Sequence, residues 1–233
     1  MMKLLILSKQ DKYVKKEEND MDTSIINKRI KANNLDITEI KKIAKECRNP
    51  STLANLANDF ANNEAVCSIL AGNKACSKET LEKLAANRST LVRYLIAQRG
   101  EELSSDFIQV RLARDANDSV KEQLARTTKK EEIKRMLFER EADKNATIKA
   151  ICLKRMKNMK VIEHFILTAS PDELFEFMDY LLENSNLTTR ELGFILTLSI
   201  KLTDKHLRMI INHNNYSSLL DDKMKRFGHR IKS

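Results

Sequence analysis

Apolar residues recur along this chain at helical spacing, and the short helices they predict recur in turn. In residues 77–99 (SKETLEKLAANRSTLVRYLIAQR) a first stripe, Leu81, Leu84 and Ala85, is followed by a polar break. A second stripe, Leu91, Leu95, Ile96 and Ala97, comes after it. Spacings of three and four residues put such side chains on one face of an α-helix. Residues 51–73 repeat the arrangement with Leu53, Leu56, Ala57 and Phe60, then Val66, Ile69, Leu70 and Ala71. Residues 104–127 repeat it with Ile108, Leu112 and Ala113, then Val120, Leu124 and Ala125.

The copies keep register. The Leu-Ala pair returns at 56-57, 84-85 and 112-113, a step of 28 residues each time, and the second helix begins at Val66, Val92, Val120 and Ile148. A period in the range of 20–50 residues is the signature of a stacked repeat array, in which each unit buries its apolar face against the next. The expectation is therefore an all-α fold, a right-handed α-solenoid of roughly six or seven short helix pairs. Ala71, Ala97 and Ala125 occupy one column, where small side chains let neighbouring helices approach. A more divergent fourth unit, residues 129–155, has Leu153 in that column. Helices of about three turns are marginal alone, so stability must come from burial between units.

Around this array the pattern divides the chain into four stretches. Residues 1–23 are dense in charge without periodicity and read as a loosely ordered segment. Residues 24–155 carry the repeats, opening with Ile25, Ile26 and Ile30, then a helix capped by Asp36 or Thr38 and ended by Asn49-Pro50. Residues 156–218 are helical but divergent. There Ser170-Pro171 reads as cap and first helical residue, Thr188 or Thr189 starts another helix, and Thr203 or Asp204 the last clear one. Residues 219–233 read as a basic tail. Ser77 reads as a plain serine cap.

Composition narrows the class. Four Gly and two Pro in 233 residues leave few turn-formers for hairpins, which agrees with helices joined by polar breaks. Forty-two basic residues against 33 acidic give +9, which favours nucleic acid, anionic surfaces or acidic proteins as partners without choosing among them. The same charge also fits an ordinary solvated surface. Cys47, Cys67, Cys76 and Cys152 have no C-x-x-C or other ligand spacing, and Cys67 and Cys152 read as reduced core thiols. The opening MMKLLILSK has too short an apolar run for a signal core, and no later run approaches a membrane span. These features predict an intracellular, cytoplasmic chain with no membrane contact.

Leu84-Ala85, Leu91-Val92-Arg93 and Ile96-Ala97, followed by Leu112-Ala113-Arg114-Asp115, Val120-Lys121 and Leu124-Ala125, resemble the leucine-rich repeat variant family, a branch of HEAT-like helical solenoids. Asn49-Pro50-Ser51-Thr52 resembles that family's junction between units. The resemblance covers about residues 36–155. Most family prolines are missing and the period is longer than the family's. One family member carries an iron–sulfur cluster on a cysteine-rich segment with no counterpart here, so no cofactor is carried over. The resemblance implies an interaction scaffold, and fold analogy alone does not fix function.

The candidate binding residues are cationic. Arg93, Lys121 and Lys149 hold equivalent positions in successive second helices, and stacking would set them in a row able to follow a phosphate backbone or an acidic partner. Arg99, Arg126, Lys154 and Arg155 lie near helix ends, Lys157 and Lys160 close a stretch from Lys144 with six basic residues and no acidic one, and Tyr94 beside Arg93 is a lone stacking group. Cations at helix C-termini also offset the dipole, which is the alternative for this set. His206 and His213 share a face without the partners a metal site needs, so they read as packing histidines. Glu131-Glu132 and Asp221-Asp222 read as solvated charge. There is no P-loop, no G-x-S-x-G and no H-E-x-x-H, so catalysis, metals and cofactors are not expected. The sequence predicts a non-catalytic scaffold for a protein partner. The alternative is a nucleic-acid-binding module using the basic row and tail.

Overall fold

In the computed structural model residues 28, 35–102, 105–141, 145–198 and 202–229 are described. The expectations for residues 1–23, for Ile25, Ile26 and Ile30, and for the last residues of the tail lie outside them. Among the described residues all regular structure is helical: α1 (Ile37–Glu46), α2 (Pro50–Asp59), α3 (Glu64–Gly72), α4 (Lys78–Leu84), α5 (Thr90–Gln98), α6 (Asp106–Ala113), α7 (Asp118–Thr127), α8 (Glu131–Glu141), α9 (Ala146–Arg155), α10 (Met159–Thr168), α11 (Pro171–Leu182), α12 (Thr189–Thr197), α13 (Asp204–Ile211) and α14 (Leu219–Arg226).

Most of these helices start where a short polar side chain satisfies orphan N–H groups of the first turn; α10 and α14 start without such a side-chain bond. Asp36 accepts from the N–H of Thr38 and Glu39 while Glu39 reaches back, closing a capping box. Asn49 caps α2 with Pro50 as first helical residue, Ser77 caps α4, and Ser170 caps α11 ahead of Pro171. Of the paired alternatives, Thr188 and Thr203 are the caps, closing boxes with Glu191 and His206. The second helices of the repeats share one device. Asn63, Ser89, Asn117 and Asn145 each stand three residues before a fully buried Val66, Val92, Val120 or Ile148. The cap fixes where the helix begins, and the beginning sets which side chain faces inward.

The chain forms two compact units, one ending at Leu112 and one starting at Ala113. In the first unit α3 packs on α1, α2, α4 and α5, and α2 lies beside α4. Its core holds Leu53, Leu56, Val66, Leu70, Leu84, Val92 and Ile96, all essentially inaccessible. In the second unit α9 packs on α7, α8 and α11, while α11 lies beside α13, α10 beside α12, and α12 beside α14. Within each unit, then, alternate helices are neighbours. The columns read from the sequence are buried: Leu56-Ala57, Leu84-Ala85, Leu112-Ala113, and Ala71, Ala97, Ala125 with Leu153.

Asparagine side chains, Asn73 and Asn184 of them buried, reach backbone about one period away in the chain. Asn73 Nδ2 donates to the carbonyls of Ala44 at 2.8 Å and Cys47 at 3.0 Å. Asn184 Nδ2 donates to those of Leu153 at 2.6 Å and Met156 at 2.8 Å. Asn87 reaches Ala61, and Asn215 reaches Leu187. Helix C-termini leave carbonyls without intrahelical partners, and these amides supply the missing donors.

Three expectations are corrected. Leu91 is 47% exposed while Val92 is fully buried, because Ser89 caps α5 and puts the third helical residue, not the second, toward the core. Within the stretch read as a tail, residues 219–226 form α14, which buries Leu220 and Met224. Glu131 is not solvated charge: its carboxylate pairs with Lys134 and accepts the N–H groups of Lys157 at 2.8 Å and Asn158 at 3.1 Å. Burial raises its pKa, but those donors outweigh burial and hold it below the usual range. Cys67 and Cys152 are buried free thiols, burial pushing the pKa of Cys152 up to about 12 and that of Cys67 upward.

Candidate interaction surface

The residues expected to form a basic row are largely engaged with the protein itself. In the first unit Arg93 is half-buried, and its Nη1 donates to the carbonyls of Asn87 at 2.9 Å and Arg88 at 3.0 Å, in the loop leaving α4. Arg99 Nη1 donates to the carbonyls of Ala71 and Asn73, each at 3.2 Å, at the C-terminal end of α3, and its Nε lies 3.6 Å from Glu102. A guanidinium there neutralises both orphan carbonyls and the negative end of the dipole. Tyr94 is half-buried.

In the second unit Lys121 is buried and lies 2.8 Å from Asp118 in the same helix. Asp118's carboxyl is held below its usual pKa, first by the hydrogen bond from Lys121. Lys149 is 3% exposed and pairs with Glu173 of α11. Its ammonium sits 5.7, 5.0 and 5.2 Å from the ring centroids of Phe138, Phe165 and Phe177. Ring faces carry negative potential, so they hold a desolvated cation that one carboxylate alone would hold less well. Lys121 and Lys149 thus point inward, correcting their place in a solvent-facing row. The reason is geometric: each follows the buried aliphatic residue at the third position of its helix, and its long stem carries the charge to a carboxylate.

The remaining candidates stay at the surface. Lys154 is exposed and lies 2.6 Å from Glu183, while Arg126, Arg155, Lys157 and Lys160 are exposed. The backbone at this end is anchored by Glu131 on the N–H of Lys157, and by Lys134 on the carbonyl of Arg155.

Both histidines have internal roles. His206 is buried, its Nδ1 accepting from the N–H of Thr203, its Nε2 facing Asp179 at 3.3 Å. Burial lowers its pKa, against the opposing pull of Asp179. His213 Nδ1 accepts from the N–H of Asn215 at 3.2 Å, so its Nε2–H donates to the carbonyl of Asn184 at 3.0 Å.

Sequence reading missed the exposed apolar side chains. Phe175 and Tyr180 on α11, Leu167 on α10, Ile211 on α13, and Leu219 and Phe227 at either end of α14 all face solvent in the second unit. Ile37, Leu91 and Phe107 do so in the first. The signal was present in PDELFEFMDYLL. Leu174, Phe177, Met178, Leu181 and Leu182 complete the buried stripe of α11, so Phe175 and Tyr180 are left off it. Phe175 meets the His206 ring edge-on at 5.5 Å, bringing it to the seam of α11 and α13.

Comparison with family models, curated proteins and solved structures finds no match to this chain. No described helix is long and apolar enough to cross a membrane. In the second unit, exposed aromatic and aliphatic side chains thus stand on the same helices as, or on helices next to, ion pairs such as Lys205–Asp179 and Lys154–Glu183.

Proposed function

We propose that the chain is a non-catalytic binding module, built as a right-handed α-solenoid of HEAT-like helix pairs similar to leucine-rich repeat variants, that recognises a protein partner. The packing of alternate helices within each unit supports the solenoid reading, as do the asparagine bonds that each span about one period of the chain. The observation that carries the partner reading is the exchange of roles just described. Lys121 and Lys149 are spent inside the fold, while Phe175, Tyr180 and Ile211 are spent on solvent. Exposed aromatic side chains offer large contact area with little conformational entropy to lose, and interfaces between proteins are enriched in them.

A second reading, contact with a nucleic-acid backbone, rests on Arg126, Arg155, Lys157 and Lys160, which are exposed in the second unit. Affinity capture on nuclease-treated extract separates the two. The protein reading expects one protein retained by the wild-type chain and lost with Phe175→Ser, Tyr180→Ser, Ile211→Ser. Retention that instead depends on intact nucleic acid, and fails with Arg155→Glu, Lys157→Glu, Lys160→Glu, would reverse the order of the two readings.

A further inference from the structure

The second unit holds an open groove of about 640 Å³ between the C-terminal end of α11 and α13. That volume lies in the range of sites that seat a small ligand or a few residues of peptide. Leu182 and Met209 supply its apolar part, and Lys205 and Arg208, one turn apart on α13, stand at its rim with the amides of Asn212 and Asn214. Lys205 already leans on Asp179. Arg208 is exposed and has no ion pair among the described residues. The one carboxylate in the lining, Glu183, is neutralised by Lys154 at 2.6 Å. The two ring nitrogens of His213 are engaged by Asn215 and Asn184.

We propose that this groove takes an acidic peptide segment carrying a large apolar side chain, which rests on the reading of the chain as a protein-binding module. The charge balance selects the occupant: an uncommitted guanidinium beside a second cation, with the local carboxylate cancelled, complements a carboxylate and repels a basic peptide. A guanidinium offers a planar fork of donors that matches a carboxylate bidentately. Met209, with its flexible and polarisable side chain, accommodates apolar groups of differing shape next to it. The two asparagine amides each provide donor and acceptor for peptide backbone.

The test is selection of random peptides of about twelve residues displayed on cells, against the full-length wild-type chain at about 150 mM salt. Enriched sequences should combine Asp or Glu with Leu, Phe or Met. Arg208→Glu, an exposed change whose folding is checked by circular dichroism, should weaken their binding by about tenfold or more. Arg208→Lys should fall between. Enrichment without acidic residues, binding unmoved by Arg208→Glu, or no enrichment at all would overturn the groove assignment. So would a single-stranded oligonucleotide that binds in an Arg208-dependent way and displaces the peptides. If the peptides fail while the captured protein is still lost with Phe175→Ser, Tyr180→Ser, Ile211→Ser, the groove is wrong and the protein-binding reading stands.

Discussion

Changing Glu173 to Gln removes the carboxylate beside Lys149 and leaves an ammonium at 3% exposure among three phenylalanine rings. Breaking a buried pair on one side costs about 3–5 kcal/mol, because the surviving charge stays desolvated. Two features reduce that figure. The Glu173 side chain is 33% exposed, so water already screens part of the pair, and the rings continue to hold the cation by roughly 0.5–2 kcal/mol. A loss of about 2–3 kcal/mol is expected. Lys149→Met should behave oppositely. It keeps the length of the stem, sets a sulfur against the rings for about 0.3–1.5 kcal/mol, and leaves Glu173 able to turn to solvent. Its stability should lie within about 1 kcal/mol of wild type. Lys149→Glu, which puts two carboxylates together in an apolar site, should be the most damaging of the three. Urea unfolding at pH 7 followed by circular dichroism reads this directly. With a slope of about 2 kcal/mol/M, Glu173→Gln should lower the midpoint of the second unit by about 1–1.5 M. If Lys149→Met were as damaging as Glu173→Gln, the lysine would be a net stabiliser and this reasoning would fail. If Lys149→Glu left the midpoint unchanged, Lys149 would be a surface residue after all.

Other outcomes follow from single contacts. Asn184→Ala strips two buried carbonyls of their donors and should cost about 2–4 kcal/mol, measured by the same unfolding assay, with Asn186→Ala as a milder control. Leu84→Ala, in the core of the first unit, should cost about 2–5 kcal/mol, and a value below about 1 would mean that the Leu-Ala column is not a packing column. His206 has a folded-state pKa below its ordinary value of 6.5, so the unfolded chain takes up its proton first. Its contribution is present at neutral pH and is lost as pH falls below about 6.5 toward the folded value. His206→Gln should flatten the fall in melting temperature over that window, and an unchanged slope would assign the acid sensitivity elsewhere. Iodoacetamide at pH 8 should leave Cys152, its pKa near 12, unmodified by mass spectrometry until denaturant is added. Labelling of Cys152 in the native protein would mean that its helix opens.

Much of the fold was legible because it is written twice, once in stripes and once in their repetition. Leu56, Leu84 and Leu112 are buried where periodicity put them, and Ser170-Pro171 starts α11 as capping chemistry requires. The caps at Asn63, Ser89, Asn117 and Asn145 were equally visible, each three residues before the buried aliphatic side chain, and reading them would have placed Val92 inward and Leu91 outward. Helix α14 was hidden because its sequence, LLDDKMKR, holds few apolar residues and its charge dominates composition. The basic row was misread for a different reason. Spacing shows which residues are equivalent, but not whether a long side chain runs out to water or in to a carboxylate. The partners that decide this, Glu173 and the rings of Phe138, Phe165 and Phe177, lie 11 to 28 positions from Lys149 in the sequence and meet it only through packing.

Hydrogen–deuterium exchange of the chain alone and with the protein retained in affinity capture tests the central claim most directly, since it reports where contact falls without altering a residue. The account predicts slowed exchange in peptides covering α11 and α13, around Phe175, Tyr180 and Ile211, with α5 and α7 unchanged. Protection centred on α7 and the junction of α9 with α10, around Arg126 and Arg155 to Lys160, would contradict it and return the exposed cations to the role of binding surface.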